Sequence, residues 1–83
     1  MRTQQDLNRL RWRCRRGTQE LDILLMRFFD ASFSALAQDE QDDFERLLAN
    51  QDPDLQDWLF GRAAPEDPRM VHIVERIRST PAA

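Results

Sequence analysis

The chain has 83 residues, of which 41% are hydrophobic and 33% charged, and its formal net charge at pH 7 is −3. This length supports one domain and leaves no room for a second core. Cys14 is the single cysteine, which excludes an internal disulfide and a cysteine-based zinc cluster. No apolar run approaches the roughly 18 residues of a membrane span, and no secretory-type apolar segment follows Arg2. We therefore predict one cytosolic domain over residues 1–83, with its core at about 4–78.

The spacing of apolar residues is helical throughout and predicts an all-α fold of five helices. The first helix is expected at about 4–15, with Thr3 as its N-cap and Gly17 as its C-terminal stop. The second follows Thr18, a plausible N-cap, and extends to about residue 31. It is apolar nearly all round, which predicts a buried helix at the centre of a compact bundle.

Three further helices are predicted from their start signals. The acidic run at 39–43 opens the third helix, where acids complement the helix dipole. Asp52-Pro53 indicates an N-cap acid followed by proline at the first helical position of the fourth helix, which Gly61 ends. Asp67-Pro68 repeats this signal for the fifth helix.

The first helix carries an unusual basic side. Residues 1–16 hold six arginines and one acid, whereas residues 17–83 hold six arginines and fourteen acids. A helical wheel places Arg2, Arg9, Arg13 and Arg16 on one side, away from the apolar stripe. Trp12 also lies off the stripe. A tryptophan among arginines is typical of a protein-binding hot spot. Alternatively, the basic face is simply solvated, and Trp12 is tucked against a neighbouring helix. Nucleic-acid binding by this helix is a further hypothesis, but the acidic remainder of the chain opposes it.

Residues that could support catalysis are few. His72 is the single histidine, and no Ser-His-acid or Cys-His spacing accompanies it, so we interpret it as an ordinary half-buried side chain. Cys14 has arginines on both sides, which could lower its pKa, but it lies on the inward stripe and is interpreted as a packed thiol. The acids at 39–43 lack the spacing of a metal site. We predict neither catalysis nor a bound metal.

Arg16 and Glu20 bracket the joint between the first two helices. They could pair with each other in a surface salt bridge worth about 0–1 kcal/mol. Alternatively, they could form a docking patch that meets complementary charges on a partner. The sequence pattern leaves both interpretations open.

Two blocks of the sequence resemble the succinate dehydrogenase assembly factors, the flavinylation factor family, in its short bacterial form. The first block is residues 12–22, WRCRRGTQELD, in which the family's Arg-Gly-x-x-Glu core falls on Arg16, Gly17 and Glu20. The second block comprises Leu47-Leu48, the DPDL of 52–55 and Trp58-Leu59. With the matching length of the chain, the resemblance extends over nearly the whole domain, roughly residues 8–78.

This resemblance implies a five-helix bundle that binds the flavoprotein subunit of succinate dehydrogenase or fumarate reductase and promotes covalent attachment of FAD to a histidine of that subunit. It assigns the client contact to Arg16, Gly17 and Glu20, and we add Arg9, Trp12 and Arg13 from the wheel. It implies a chaperone that holds no cofactor stably, because the FAD is attached to the client. We expect a monomer that forms a heterodimer, without membrane insertion or nucleic-acid binding. Members of the family have also been labelled antitoxins, which leaves an antitoxin-like or nucleic-acid-binding regulator as the alternative.

Overall fold

The computed structural model describes residues 2–80, which form five α-helices and contain no strand. The helices are α1 (Gln4–Arg13), α2 (Gln19–Ser32), α3 (Gln38–Leu48), α4 (Asp52–Leu59) and α5 (Pro68–Arg78), and a short 3-10 helix (Phe33–Ala35) follows α2. The predicted all-α architecture of five helices is thus confirmed. Within the described range, no helix combines the length and apolar character needed to cross a membrane.

Capping interactions fix most of the predicted helix starts. Thr3 Oγ1 accepts a hydrogen bond from the Asp6 amide, and the Asp6 carboxylate accepts one from the Thr3 amide, so α1 begins with a capping box. Asp67 caps α5 by accepting from the Arg69 amide at 2.9 Å. The predicted N-cap role of Asp52 is wrong by one position, because Gln51 is the N-cap and Asp52 is the first residue of α4. Its carboxylate is therefore free for the contact with Arg16, in the joint between α1 and α2, that is described below.

The core is built from one face of each helix. Its fully buried large side chains are Leu21, Leu25, Phe28, Phe33, Phe44, Leu47, Leu48, Leu55, Ile73 and Ile77. The ring centroid of Phe44 lies 5.4 Å from that of Phe28 and 5.6 Å from that of Phe33, which joins α2 and the 3-10 helix to α3. The helix α2 is less enclosed than its composition predicts, because Ile23 remains 46% exposed. An apolar helix in a bundle of this size can bury only one side against its neighbours.

The helix α5 packs against α2, α3 and α4 and closes the bundle. Between α3 and α5, the buried carboxylate of Asp43 lies 3.0 Å from Arg69 Nε, and Arg46 approaches it at 3.6 Å. His72 Nε2 lies 2.9 Å from Glu40 Oε2 on the same seam. The interpretation of His72 as half-buried is wrong, because its side chain is 55% exposed and rests on the acidic start of α3. The seam is a structural contact, since every acid in it has a basic neighbour.

Candidate functional site

The joint between α1 and α2 turns at Gly17. This residue has φ +92°, a conformation that a side chain disfavours, and a Cβ built on it would meet no atom within 4 Å. The requirement for glycine therefore comes from the backbone conformation and from no steric contact within the described chain. The residue is exposed, so the turn leaves its backbone open to a partner.

Arg16 is held inside the protein by three strong hydrogen bonds. Its Nε donates to Asp52 Oδ1 at 2.7 Å, and its two terminal nitrogens donate to the backbone carbonyls of Leu48 and Asn50 at 2.8 and 2.7 Å. The side chain is only 17% exposed. Arg16 thus satisfies carbonyls at the end of α3, where a helix leaves such groups unpaired, and ties them to the start of α4.

These contacts correct the prediction for the pair Arg16 and Glu20. The proposed salt bridge between them is wrong, because Arg16 pairs with Asp52 across 36 residues of sequence. The backbone amide of Arg16 also donates to the carboxylate of Asp22 in the first turn of α2. The two contacts fix the joint from both sides and so determine where α2 begins.

Glu20 lies in the first turn of α2 and is exposed. It makes no hydrogen bond or salt bridge with any residue in the range 2–80. A carboxylate near a helix N-terminus is stabilised by the helix dipole, which explains why it is tolerated there without an ionic partner. Of the charged residues in the Arg-Gly-x-x-Glu core, Glu20 is therefore the one that remains available for an external contact.

Glu20 faces a groove between the start of α2 and the end of α4, which we call the joint groove. The groove has a volume of about 360 Å³. Its lining residues are Thr18, Gln19, Glu20, Leu21, Gln56, Phe60 and Arg62. Sequence reasoning missed Phe60 and Arg62. The available signal was that Phe60 is a large apolar residue off the Leu55–Leu59 stripe and directly before the helix-ending Gly61.

The basic side of α1 is smaller than the wheel predicts. Arg2 is bound by Gln41, Asp42 and Glu45 of α3, and Arg16 is bound as described above. Their placement on a solvated face was wrong, because long arginine side chains reach acids and carbonyls of neighbouring elements. Arg9 and Arg13 line a second groove, of about 460 Å³, together with Asp6 and Glu45, but neither arginine makes a salt bridge within residues 2–80. Their role in binding remains a prediction.

Trp12 is 68% exposed, which makes it the most exposed large apolar side chain of residues 2–80. The alternative that it is tucked against a neighbouring helix is therefore wrong. The guanidinium of Arg15 lies 5.2 Å from the centroid of its ring and covers one face. Trp12 is accessible to a partner, and its assignment as a contact residue stays a prediction.

The thiol of Cys14 and the possible metal-ligating side chains were the remaining candidates for chemistry. Cys14 is fully buried, its thiol donates to the Leu10 carbonyl, and burial raises the pKa of this thiol to about 12. The packed-thiol interpretation is confirmed, because such a group stays protonated and unreactive near neutral pH. Across residues 2–80, no group of three or more His, Cys, Asp or Glu side chains is arranged to hold a metal ion.

Comparison with known proteins identifies the family of this chain. Residues 8–81 match the model of the Sdh5 family, described as "Flavinator of succinate dehydrogenase". The chain is 44% identical over 70 residues to a protein of Coxiella burnetii named "FAD assembly factor SdhE", an alignment that covers 84% of this chain and 85% of the relative. It is 42% identical over 77 residues to the protein of that name from Vibrio cholerae, covering 93% and 90%.

A Serratia protein with the same name is 42% identical over 71 residues, covering 86% of this chain and 81% of its own. The family match includes the whole joint from Arg16 to Glu20 and both walls of the joint groove. The chain therefore belongs to the Sdh5 family of succinate dehydrogenase flavinators.

Proposed function

We propose that this protein is an assembly factor that binds the flavoprotein subunit of succinate dehydrogenase, or of fumarate reductase, and promotes the covalent attachment of FAD to it. Membership of the Sdh5 family supports the general role. The observation that carries the assignment to a site is the exposed carboxylate of Glu20, which has no ionic partner within residues 2–80 and lies beside the open backbone of Gly17. Glu20 is the proposed charged contact with the client.

In this proposal the three residues of the motif act differently. Arg16 is a positioning residue, since its guanidinium is bound by Asp52 and two carbonyls and is largely shielded from solvent. Gly17 supplies the backbone turn and leaves room for close approach. Together they hold Glu20 at a fixed place relative to α4, which lowers the entropy lost when the client binds.

We further propose that the protein performs no covalent chemistry and holds no FAD of its own. The bond to the flavin forms in the client, and the factor stabilises a client conformation in which flavin and attachment site are correctly placed. Positioning alone can lower a barrier by several kcal/mol, up to about 7–11 in ideal cases. Cys14 is a buried thiol whose pKa burial raises to about 12, so it is not poised for nucleophilic catalysis.

The proposal is tested in cells of the host that lack this protein and carry wild-type or variant copies. Covalent FAD in the flavoprotein subunit is measured by in-gel flavin fluorescence after denaturation. We expect strong loss in the deletion strain, recovery with the wild type, and poor recovery with Glu20→Gln, which removes one charge from an exposed position.

Glu66→Gln is the matched control, because Glu66 is also exposed and makes no salt bridge within residues 2–80. It should restore covalent FAD as well as the wild type. Unchanged covalent FAD in the deletion strain would contradict the proposed function. Full recovery with Glu20→Gln would contradict only the assignment of Glu20.

A further inference from the structure

We propose that the joint groove is the seat for a segment of the flavoprotein that brings a basic side chain to Glu20 and an apolar group onto Phe60. This inference rests on the proposed function and extends its contact surface from the α1–α2 joint to the end of α4. It assigns a contact role to Phe60, which lies outside both blocks of family resemblance.

The charge of the groove selects a basic side chain. Glu20 has no ionic partner in the part of the chain described. The other charged residue of the wall, Arg62, donates from Nε to the carboxylate of Asp57 at 3.1 Å, so its charge is already balanced. The groove therefore carries one uncompensated negative charge, which attracts a lysine or arginine and repels an acidic segment.

The apolar part of the groove is an aromatic side chain held in place. Phe60 is 38% exposed at the end of α4, and the guanidinium of Arg62 lies 5.8 Å from the centroid of its ring. The turn after it is fixed by Gly61, with φ +80°, and by hydrogen bonds from the amides of Arg62 and Ala63 to the Asp57 carbonyl. A preorganised aromatic group of this kind loses little entropy when a partner covers it.

The remaining wall offers polar contacts for a peptide backbone. Thr18 lies beside the Gly17 turn in this wall, and its hydroxyl oxygen is enclosed by the protein itself. Gln19 and Gln56 add side-chain amides on either side. The groove thus combines one charge, one aromatic anchor and several polar groups next to the Gly17 turn.

The test measures the affinity of the purified full-length protein for the purified flavoprotein subunit. Phe60→Ala removes the anchor and is expected to raise Kd about tenfold. His72→Ala is the control, since it truncates an exposed ring on the α3–α5 seam, and it should leave Kd within about twofold of the wild type. Thermal unfolding of each variant is recorded beside the titration.

A second variant keeps the test independent of any packing change at Phe60. Gln19→Lys places a positive charge in the wall of the groove and should weaken binding several-fold, because it competes with the incoming basic group for Glu20. Gln5→Lys adds the same charge to the first turn of α1 as its control and should have little effect. A photo-crosslinking residue at position 60 should capture a flavoprotein peptide that contains a lysine or arginine.

The outcomes separate this inference from the proposed function. If the wild type fails to bind the flavoprotein, the proposed function is wrong. If the wild type binds and both Phe60→Ala and Gln19→Lys bind equally well, the client does not occupy the groove and this inference alone is overturned. Capture of an acidic peptide without basic residues at position 60 would also overturn it.

Discussion

The internal position of Arg16 predicts that its loss destabilises the fold, although it belongs to the motif to which we assign the client contact. Arg16→Ala removes three charge-assisted hydrogen bonds and leaves two backbone carbonyls near the end of α3 without their donor. A net hydrogen bond to a charged group contributes about 1.5–3 kcal/mol, but Asp52 is 34% exposed and regains water. We therefore expect a loss of about 2–4 kcal/mol in the free energy of unfolding, well below the sum of the three bonds.

This loss is large for a domain of 83 residues. A change of 1 kcal/mol shifts Tm by about 4–8 °C at this size, so Arg16→Ala should lower Tm by roughly 10–25 °C. The Tm of Arg16→Lys should lie between those of the wild type and Arg16→Ala, because an ammonium keeps the charge but lacks the planar guanidinium that reaches three acceptors. Thermal unfolding by circular dichroism measures the shift.

The matched comparison is Glu20→Gln, which should change Tm by less than about 2 °C and still impair binding of the flavoprotein. The expected pattern is thus a loss of stability at residue 16 and a loss of affinity at residue 20. Arg16→Ala with an unchanged Tm and abolished binding would refute the reasoning, because it would make Arg16 a direct contact and not a positioning residue.

Three further predictions concern the joint and the titratable groups. Gly17→Ala should destabilise the protein by about 1–2 kcal/mol in urea titrations, through the positive φ alone, since no atom lies near the added Cβ. Native Cys14 is buried and should react with a thiol reagent at pH 8 only as fast as the protein opens. Because burial raises the pKa of this thiol from an ordinary 9.0 to about 12, the free energy of unfolding should fall as pH rises from about 9 toward 12. The hydrogen bond from Arg2 lowers the pKa of Asp42, and the hydrogen bond from the Arg69 amide lowers the pKa of Asp67. The stabilisation by these two carboxylates should be complete above about pH 4 and should be lost as pH falls below it. Asp67→Asn should reduce that loss.

Local signals predicted the helices well because their causes lie within a few residues. The Thr3 capping box, the Asp67 cap and the positive φ of Gly17 and Gly61 all follow from side chains and backbone at or beside the position concerned. The early end of α1 at Arg13 and the exposure of Ile23 differ from expectation. Both depend on how neighbouring helices pack, which no window of the sequence contains.

The candidate site was harder to predict because its contacts join distant parts of the chain. The wheel treats Arg2 and Arg16 as two equivalent charges of one helix face. In the structure, α3 binds Arg2, whereas the end of α3 and the start of α4 bind Arg16. Glu20 could have been paired or free on sequence grounds, and only the partner of Arg16 resolves this. Phe60 enters the site because the end of α4 lies beside the start of α2, a juxtaposition set by the tertiary fold.

The same contacts explain why a chaperone of this size needs a rigid joint. The proposed contact residue Glu20 lies on the first turn of α2, whose start is fixed by the Gly17 turn and by the hydrogen bond from the Arg16 amide to the Asp22 carboxylate. The opposite wall of the groove lies on α4, and Arg16 connects that helix to the joint through Asp52. Arg16 thus links the joint that carries Glu20 to the start of the helix that ends at Phe60. Small displacements of either side would weaken binding without removing any contact residue. Stability and client affinity should therefore both decline in variants of Arg16, whereas variants of Glu20 and Phe60 should lose affinity without a matching loss of stability.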